Sequence, residues 1–366
     1  MSRSSLPATH PQTLLARPGA MGLLDRLHLD GPQTVFNGPL FWAVTAMALA
    51  GLVIYPALAG AFVASNLSAF LLNLPLALGL SLLWGYGGVL SFGQVAFFGI
   101  AAYSYGIVAI NVGGGTLTLV AALAALAATA LVALAFGYFV FYGRVSGWIV
   151  PVLTLVLTLI LETFLGQTAG YEWRVGAALL GGYNGMTGIP SLAMGALEFN
   201  GFTLPLYYLV LALGVLLYLW LRMLVNSHFG YVAVAIREDP ERAELLGYDV
   251  RLYRLLLFVI AAVLAGVSGI LYVSWGNYVS PSSVGLLAAT LPVLWVAVGG
   301  KGSLTAVVLS TLALVWLADA LSVRSGEFAY VVMGALLLVA MMFCPEGILI
   351  SLVRGYRALR GRGPGP

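Results

Sequence analysis

The sequence predicts an all-α integral membrane protein of about ten transmembrane helices, some of them broken at glycines. Of its 366 residues, 61% are hydrophobic and 8% are charged, and the mean hydropathy is +1.02. A soluble domain carries roughly 25% charged residues. In addition, no charged residue lies between Asp30 and Arg144, a stretch long enough for several membrane-spanning helices. Lipid is the solvent that such a chain requires.

Ten apolar segments approach the length of about 20 residues that crosses a bilayer. The eighth has 16 residues and could be re-entrant, so eight spans plus a hairpin is the alternative count. The second and third segments almost run together through glycines. The segments are 40–64, 67–84, 88–110, 117–142, 147–165, 203–224, 255–276, 285–300, 304–323 and 329–352.

The distribution of Lys and Arg predicts that both termini are cytoplasmic. With ten spans, fourteen of these residues fall on one side and only Arg174 and Arg324 on the other. Such an excess marks the cytoplasmic side. A hairpin in place of spans eight and nine would leave Lys301 at membrane depth, which is costly. The expected domains are a cytoplasmic extension, 1–38, a transmembrane domain, 39–353, and a basic cytoplasmic tail, 354–366.

Two long loops connect the predicted spans. Residues 166–202, called the outer loop, are rich in glycine and include the sequence G-G-Y-N-G-M-T-G-I-P at 181–190. Residues 225–254, called the inner loop, hold nine charged residues between Arg237 and Arg254. This concentration of charge on the predicted cytoplasmic side suggests a protein partner rather than lipid.

The inner loop contains a predicted two-turn helix, 240–246. Asp239 suits the N-cap and Pro240 the first helical position. Glu241 places a negative charge in the first turn, and Gly247 can adopt the left-handed conformation that ends a helix. Two turns are not stable alone, so the helix must dock on its own protein or on a partner.

The sequence lacks the motifs of several enzyme classes. It contains no G-x-x-x-x-G-K-[ST] phosphate loop, no G-x-S-x-G elbow and no H-E-x-x-H. A single cysteine, Cys344, excludes a disulfide scaffold, and the three histidines lie outside the apolar spans. The scattered arginines form no basic stripe for nucleic acid. We therefore expect no catalytic residue, no metal and no cofactor bound by this chain.

Glycine-rich interruptions in apolar segments predict where helices break and line a passage. The clearest are Gly85–Gly93 and Gly266–Gly276. The alternative is that these glycines permit close helix packing. The residues expected to line a translocation pathway are Gly88, Ser91, Gln94, Tyr103 and Asn277, with Ser104 beside them.

Two carboxylates, Glu162 and Asp319, lie within apolar spans, where acidic residues are functional candidates. Both lie near the outer end of a span, where a carboxylate can reach water. No carboxylate is expected near the midplane, where a proton- or sodium-coupled carrier usually needs one. The energy for transport should therefore come from another source.

Six motifs, in order, resemble those of the LivM-like permease subunits of bacterial ABC importers for branched-chain amino acids. L-S-F-G-Q-V-A-F-F-G-I-A-A-Y at 90–103 is similar to the family's L-S-x-G-H/Q-A-A-F-F-G-I-G-A-Y, and N-G-M-T-G-I-P at 184–190 to N-G-L-T-G-I-P. The other motifs are A-I-R-E-D with L-G-Y-D-V at 235–250, Y-V-S-P at 278–281, G-G-K-G-S-L at 299–304 and P-E-G-I at 345–348.

The resemblance covers residues 70–353 and has departures. Ala306 and Val307 stand where the family often has a Gly-Pro pair, and Glu346 replaces a frequently basic residue. A sister branch that carries urea and short amides shares much of the pattern. A permease for urea or short amides, or a stand-alone secondary carrier, is therefore an alternative.

The resemblance implies a permease subunit in the bacterial inner membrane, surrounded by lipid, that imports branched-chain amino acids. The implied partners are a second homologous permease subunit, two ABC ATP-binding subunits that use the ATP, and a periplasmic substrate-binding protein. Helix 240–246 would be the coupling helix, and the outer loop would meet the binding protein. The implied ATPase-coupling residues are Arg237, Glu238, Asp239, Glu241, Arg242, Leu246 and Gly247, and those of the outer loop are Asn184, Gly185 and Thr187.

Overall fold

The structure is a computed structural model that describes residues 38–143, 145–323, 326–344 and 347–351. Within these ranges eight helices are long and apolar enough to cross a membrane, and two shorter apolar helices lie at Val150–Gly166 and Val331–Phe343. The all-α membrane fold class is confirmed. The predicted tail, and all of the predicted extension except Gly38, lie outside the described residues.

The helices and strands are numbered in chain order. The helices are α1 (Pro39–Ala59), α2 (Ala61–Leu71), α3 (Leu74–Leu80), α4 (Gln94–Val112), α5 (Leu117–Tyr142), α6 (Val150–Gly166), α7 (Leu204–Val225), α8 (His228–Glu238), α9 (Pro240–Leu245), α10 (Val250–Gly276), α11 (Leu286–Gly299), α12 (Leu304–Ser322) and α13 (Gly326–Phe343). The strands are β1 (Arg174–Val175), β2 (Ala178–Leu179), β3 (Met186–Thr187), β4 (Leu192–Met194), β5 (Leu197–Phe199) and β6 (Tyr278–Val279).

Helix α10 packs against α3, α4 and α5, and its small side chains allow close approach. Gly79 of α3 lies against the backbone of Ala261, and a Cβ on Gly269 would overlap with the carbonyl oxygen of Phe98 in α4. The predicted break at Gly266–Gly276 is therefore wrong, because α10 runs unbroken from Val250 to Gly276. Gly266 and Gly269 serve helix packing, as small residues often do in membranes.

We expect the substitution Gly269→Ala to destabilise the bundle. The added Cβ meets backbone atoms of Phe98, which cannot rotate away, so α4 and α10 must separate. Such overpacking costs about 1–3 kcal/mol. The matched control is Gly276→Ala in the same helix, where an added Cβ meets nothing within 4 Å. Thermal unfolding of the detergent-solubilised protein should show a lower midpoint for Gly269→Ala only.

The other predicted break, Gly85–Gly93, is confirmed. A π-helical turn, Ser81–Tyr86, extends α3, and the chain is not helical again until Gln94. The third predicted span, 88–110, therefore begins six residues too early as a helix. The boundary between the first two spans was also misplaced, since α1 ends at Ala59 and α2 begins at Ala61.

The eighth apolar segment forms a span of 19 residues, Pro281–Gly299, because a 3₁₀ turn at Pro281–Val284 precedes α11. The outer loop contains short strands that the sequence did not predict. Strand β3 of this loop pairs with β6, with Met186 opposite Val279 and Thr187 opposite Tyr278. This pairing fixes the outer loop to the connection between α10 and α11.

Candidate functional site

Residues 85–94, called the broken span, join the π-helical turn to α4 and are not helical between Gly87 and Gly93. At one end, Gly88 has φ +71° and its Cα lies against the side chain of Arg237 in the inner loop. Farther along α4, Gly106 lies against Met186 and Ile189 of the outer loop. Gln94 precedes Gly106 by 12 residues, or about 18 Å of helix. Gln94 and Val95, the first two residues of α4, are 1% and 3% exposed, so the helix begins in the interior of the protein.

Two threonines of α6 satisfy the exposed backbone of the broken span. The N–H of Phe92 donates to Oγ1 of Thr154 at 3.1 Å, and Oγ1 of Thr158 donates to the carbonyl of Phe92 at 3.2 Å. Backbone groups freed from a helix in lipid need such partners. Neither threonine was predicted from the sequence, although their spacing of four residues places them on one face of an apolar helix.

The predicted pathway residues differ in their surroundings. Ser91, Gln94 and Tyr103 are buried, and the polar side-chain atoms of Gln94 and Tyr103 have no hydrogen-bond partner within the described residues. Asn277 instead donates to the carbonyl of Ile189 at 2.8 Å and to Oγ of Ser191 at 2.7 Å. Asn277 therefore ties the end of α10 to the outer loop.

The inner loop folds into α8 and α9, and the predicted two-turn helix is confirmed with one residue fewer, since α9 ends at Leu245. The carboxylate of Asp239 accepts the N–H of Arg242 at 3.0 Å, as expected of an N-cap. Gly247 has φ +90°, the left-handed conformation that follows many helix ends. Helix α8 was not predicted.

Helix α9 has a buried side and an exposed side. Ala243 is 2% exposed and packs in a cluster with Val232 and Ile236 of α8 and Val250 of α10. Leu245 and Leu246, called the leucine pair, are 88% and 72% exposed. Helix α9 thus docks on its own protein and still presents an exposed apolar surface.

Arg237 joins the inner loop to the broken span. Its Nη1 donates to the carbonyl oxygen of Gly85, and its Nε donates to Oε1 of Glu238 at 3.0 Å. A Cβ built on Gly88 would lie 2.7 Å from Cγ of Arg237, so only glycine leaves room for this side chain. The Arg237 side chain therefore faces its own chain, whereas Arg242 is exposed and pairs with Asp239 at 3.2 Å.

The turn between α11 and α12 contacts the same end of the broken span. The carbonyl oxygen of Lys301 lies against Cα of Gly85 and accepts a hydrogen bond from Oγ of Ser81 at 3.4 Å. The Nζ of Lys301 lies 5.8 Å from the ring centroid of Trp84, within cation–π range. Gly85 is thus held between two loops that were predicted to be cytoplasmic.

In the outer loop, Asn184 and Thr187 are exposed, whereas Gly185 is buried with its Cα against the backbone of Val279. Glu162 lies beside Gly285 at the N-terminus of α11, where the helix dipole favours a negative charge. Asp319 is exposed in the last turn of α12. Within the described ranges, no group of three or more His, Cys, Asp or Glu side chains could hold a metal ion.

Comparison with known proteins identifies the family. The family model described as "Branched-chain amino acid transport system / permease component" matches residues 62–341. The high-affinity branched-chain amino acid transport system permease protein LivM of Escherichia coli K12 is 28% identical over 296 residues, which are 75% of this chain and 67% of that protein. The permease protein LivH of the same strain is 34% identical over 125 residues, which are 34% of this chain and 40% of LivH.

A probable LivM of Methanocaldococcus jannaschii is 25% identical over 185 residues, 47% of this chain and 53% of that protein. No solved structure matches. The family model covers more than half of the chain, and it agrees with the resemblance of the six motifs. The chain belongs to the family of branched-chain amino acid transport permeases, which are transport subunits and not enzymes.

Proposed function

We propose that this chain is the membrane-spanning permease subunit of an ATP-driven importer for branched-chain amino acids. The observation that carries the proposal is the leucine pair. Leu245 and Leu246 project from a helix whose other side is fixed by Ala243 and whose ends are fixed by Asp239 and Gly247. A small apolar surface, held rigidly and flanked by charged residues, is suited to a groove in a cytoplasmic ATPase subunit.

The inner loop would pass the movement of the ATPase subunits to the translocation pathway. Helices α8 and α9 share the apolar cluster around Ala243, so a push on α9 moves α8. Arg237, near the end of α8, contacts Gly85 and Gly88. The broken span has fewer internal hydrogen bonds than a helix and can change conformation at lower cost. Movement of α9 would thereby open or close the passage beside Ser91 and Gln94.

The proposed partners follow from this arrangement and from the family. Two ABC ATP-binding subunits would bind the inner side and use the ATP, and a periplasmic binding protein would deliver the solute to the outer loop near Asn184 and Thr187. Similarity to both LivM and LivH, two permeases of one transport system by name, supports pairing with a second homologous permease. The chain would then lie in the bacterial inner membrane with both termini cytoplasmic.

The proposal is tested by purifying the tagged chain in mild detergent and identifying its stoichiometric partners by mass spectrometry. We expect a second permease and one or two ATP-binding subunits. The purified complex is then reconstituted in liposomes with the binding protein, and uptake of leucine and of urea is measured with and without ATP. If the chain is recovered alone and uptake is the same with and without ATP, the proposal is wrong and the chain is a secondary carrier. ATP-driven uptake of urea but not leucine would assign the chain to the urea and amide branch.

A further inference from the structure

The N-terminus of α4 presents hydrogen-bond donors that have no acceptor in the described chain. The N–H groups of Ala96 and Phe97 both donate to the carbonyl of Gly93, at 3.1 Å and 3.3 Å. For the N–H groups of Gln94 and Val95, no hydrogen bond is found within the described ranges. The side-chain amide of Gln94 is 1% exposed, and neither its Nε2 nor its Oε1 has a partner there.

These groups converge on one end of the helix. Cα–Cβ bonds tilt toward the N-terminus of a helix, so the Cα–Cβ bond of its first residue, Gln94, points to the end where the two N–H groups are free. Ser91 lies at the same end, since its Oγ accepts the N–H of Gly93 at 3.1 Å. The hydroxyl proton of Ser91 remains available to another acceptor. The end of α4 therefore offers two backbone N–H groups, one amide and one hydroxyl.

This set of groups favours an anion. The N-terminus of a helix carries a partial positive charge, and its free N–H groups point toward a bound ligand. Helix α4 has 19 residues, long enough for an aligned dipole. Because Gln94 and Val95 are only 1% and 3% exposed, bulk water does not reach these donors, and leaving them unpaired is costly. With Gln94 only 1% exposed, a second permease chain lying on the protein surface cannot reach the amide.

We propose that the N-terminus of α4, with Gln94 and Ser91, binds the α-carboxylate of the transported amino acid. This inference rests on the proposed function, because it assigns a position to the solute of that importer. The solute would reach the site when the broken span moves during the transport cycle. The site would favour solutes that carry a carboxylate over urea and neutral amides, which lack the negative charge.

The test uses the complete importer, reconstituted in liposomes with its ATP-binding subunits and binding protein. Initial uptake of radiolabelled leucine and basal ATP hydrolysis are measured for Gln94→Glu, Gln94→Leu and Gln94→His. The matched control is Ser274→Ala in α10, which removes another fully buried side-chain hydroxyl. Complex assembly is checked by size-exclusion chromatography.

We expect Gln94→Glu to lower leucine uptake by about tenfold or more, because two carboxylates repel each other. Gln94→Leu should lower uptake by about tenfold, the effect of losing one hydrogen bond to a charged group. Gln94→His keeps an N–H donor and should retain most of the uptake. The control Ser274→Ala should assemble, hydrolyse ATP and take up leucine at the wild-type level.

Wild-type uptake by Gln94→Glu would overturn the site, because a glutamate there could accept hydrogen bonds from a neutral solute or a water molecule but not from a carboxylate. If the variants fail to assemble, the wild-type importer is measured instead by solid-state NMR. The glutamine side chains are labelled with ¹⁵N and the carboxyl group of the leucine solute with ¹³C. The distance between the Gln94 side-chain nitrogen and the carboxyl carbon should be about 4 Å. No such distance in the solute-loaded importer would also overturn the site. If leucine uptake depends on ATP but is unchanged in the Gln94 variants, this site alone is refuted. If leucine uptake does not depend on ATP, the proposed function is refuted.

Discussion

Replacing both leucines of the leucine pair with aspartate is expected to abolish ATP-driven uptake while the chain still inserts and folds. Leu245 and Leu246 are 88% and 72% exposed, so the fold of this chain does not depend on burying them. In the proposed importer they would be buried against an ATPase subunit, and each buried leucine contributes about 1.5–3 kcal/mol. Placing two carboxylates in that contact would add the cost of burying unpaired charges.

The measurement compares uptake, complex assembly and membrane insertion for the double variant. The matched control is Leu286→Asp with Leu287→Asp, an adjacent exposed leucine pair at the outer end of α11. That control should leave the association with ATPase subunits unchanged, because it lies on the opposite side of the membrane. Replacing Glu241, Arg242 and Leu246 together should also lower uptake without loss of insertion. Normal uptake by both inner-loop variants would exclude α9 as the coupling helix.

The substitution Arg237→Ala is expected to uncouple ATP hydrolysis from uptake. It removes the bond to the carbonyl of Gly85 and the contact with Gly88, two links from α8 to the broken span. A hydrogen bond to a charged group contributes about 1.5–3 kcal/mol, equivalent to roughly tenfold to a hundredfold in an equilibrium. We therefore expect ATP hydrolysis to continue and the number of leucines imported per ATP to fall by about tenfold or more.

The control for this prediction is Glu238→Gln. It removes the ion pair with Arg237 but leaves the guanidinium free to bond to Gly85. The ratio of leucine imported to ATP hydrolysed should therefore change much less than in Arg237→Ala. An Arg237→Ala importer with a normal ratio would show that movement reaches the broken span by another route, such as the Lys301 turn.

Local signals in the sequence predicted the features that depend on a few neighbouring residues. The D-P pair at 239–240 and the glycine at 247 determine the ends of α9 through capping, backbone geometry and a left-handed residue. The run of glycines at 85–93 predicted the break after α3. The glycines at 266–276 look similar in the sequence, yet α10 is continuous there, because neighbouring helices surround it closely.

Contacts between distant parts of the chain could not be predicted. Arg237 and Gly85 are 152 residues apart, and no feature of either sequence segment indicates that the two residues are in contact. Arg237 is predicted from the resemblance to be an ATPase-coupling residue, and in the structure its side chain contacts its own chain. The role of Asn277 was missed for the same reason, since its two acceptors lie in the outer loop more than 80 residues earlier.

The central claim is that α9 is seated in an ATPase subunit, and a photo-cross-link tests it most directly. The photoreactive amino acid p-benzoylphenylalanine replaces Leu246 in cells, with the exposed outer-loop residue Tyr183 replaced in the control. After irradiation, we expect the position 246 variant to form an adduct with an ATP-binding subunit and the position 183 variant to form none with it. Irradiation that joins position 246 only to lipid or to this chain itself would contradict the account.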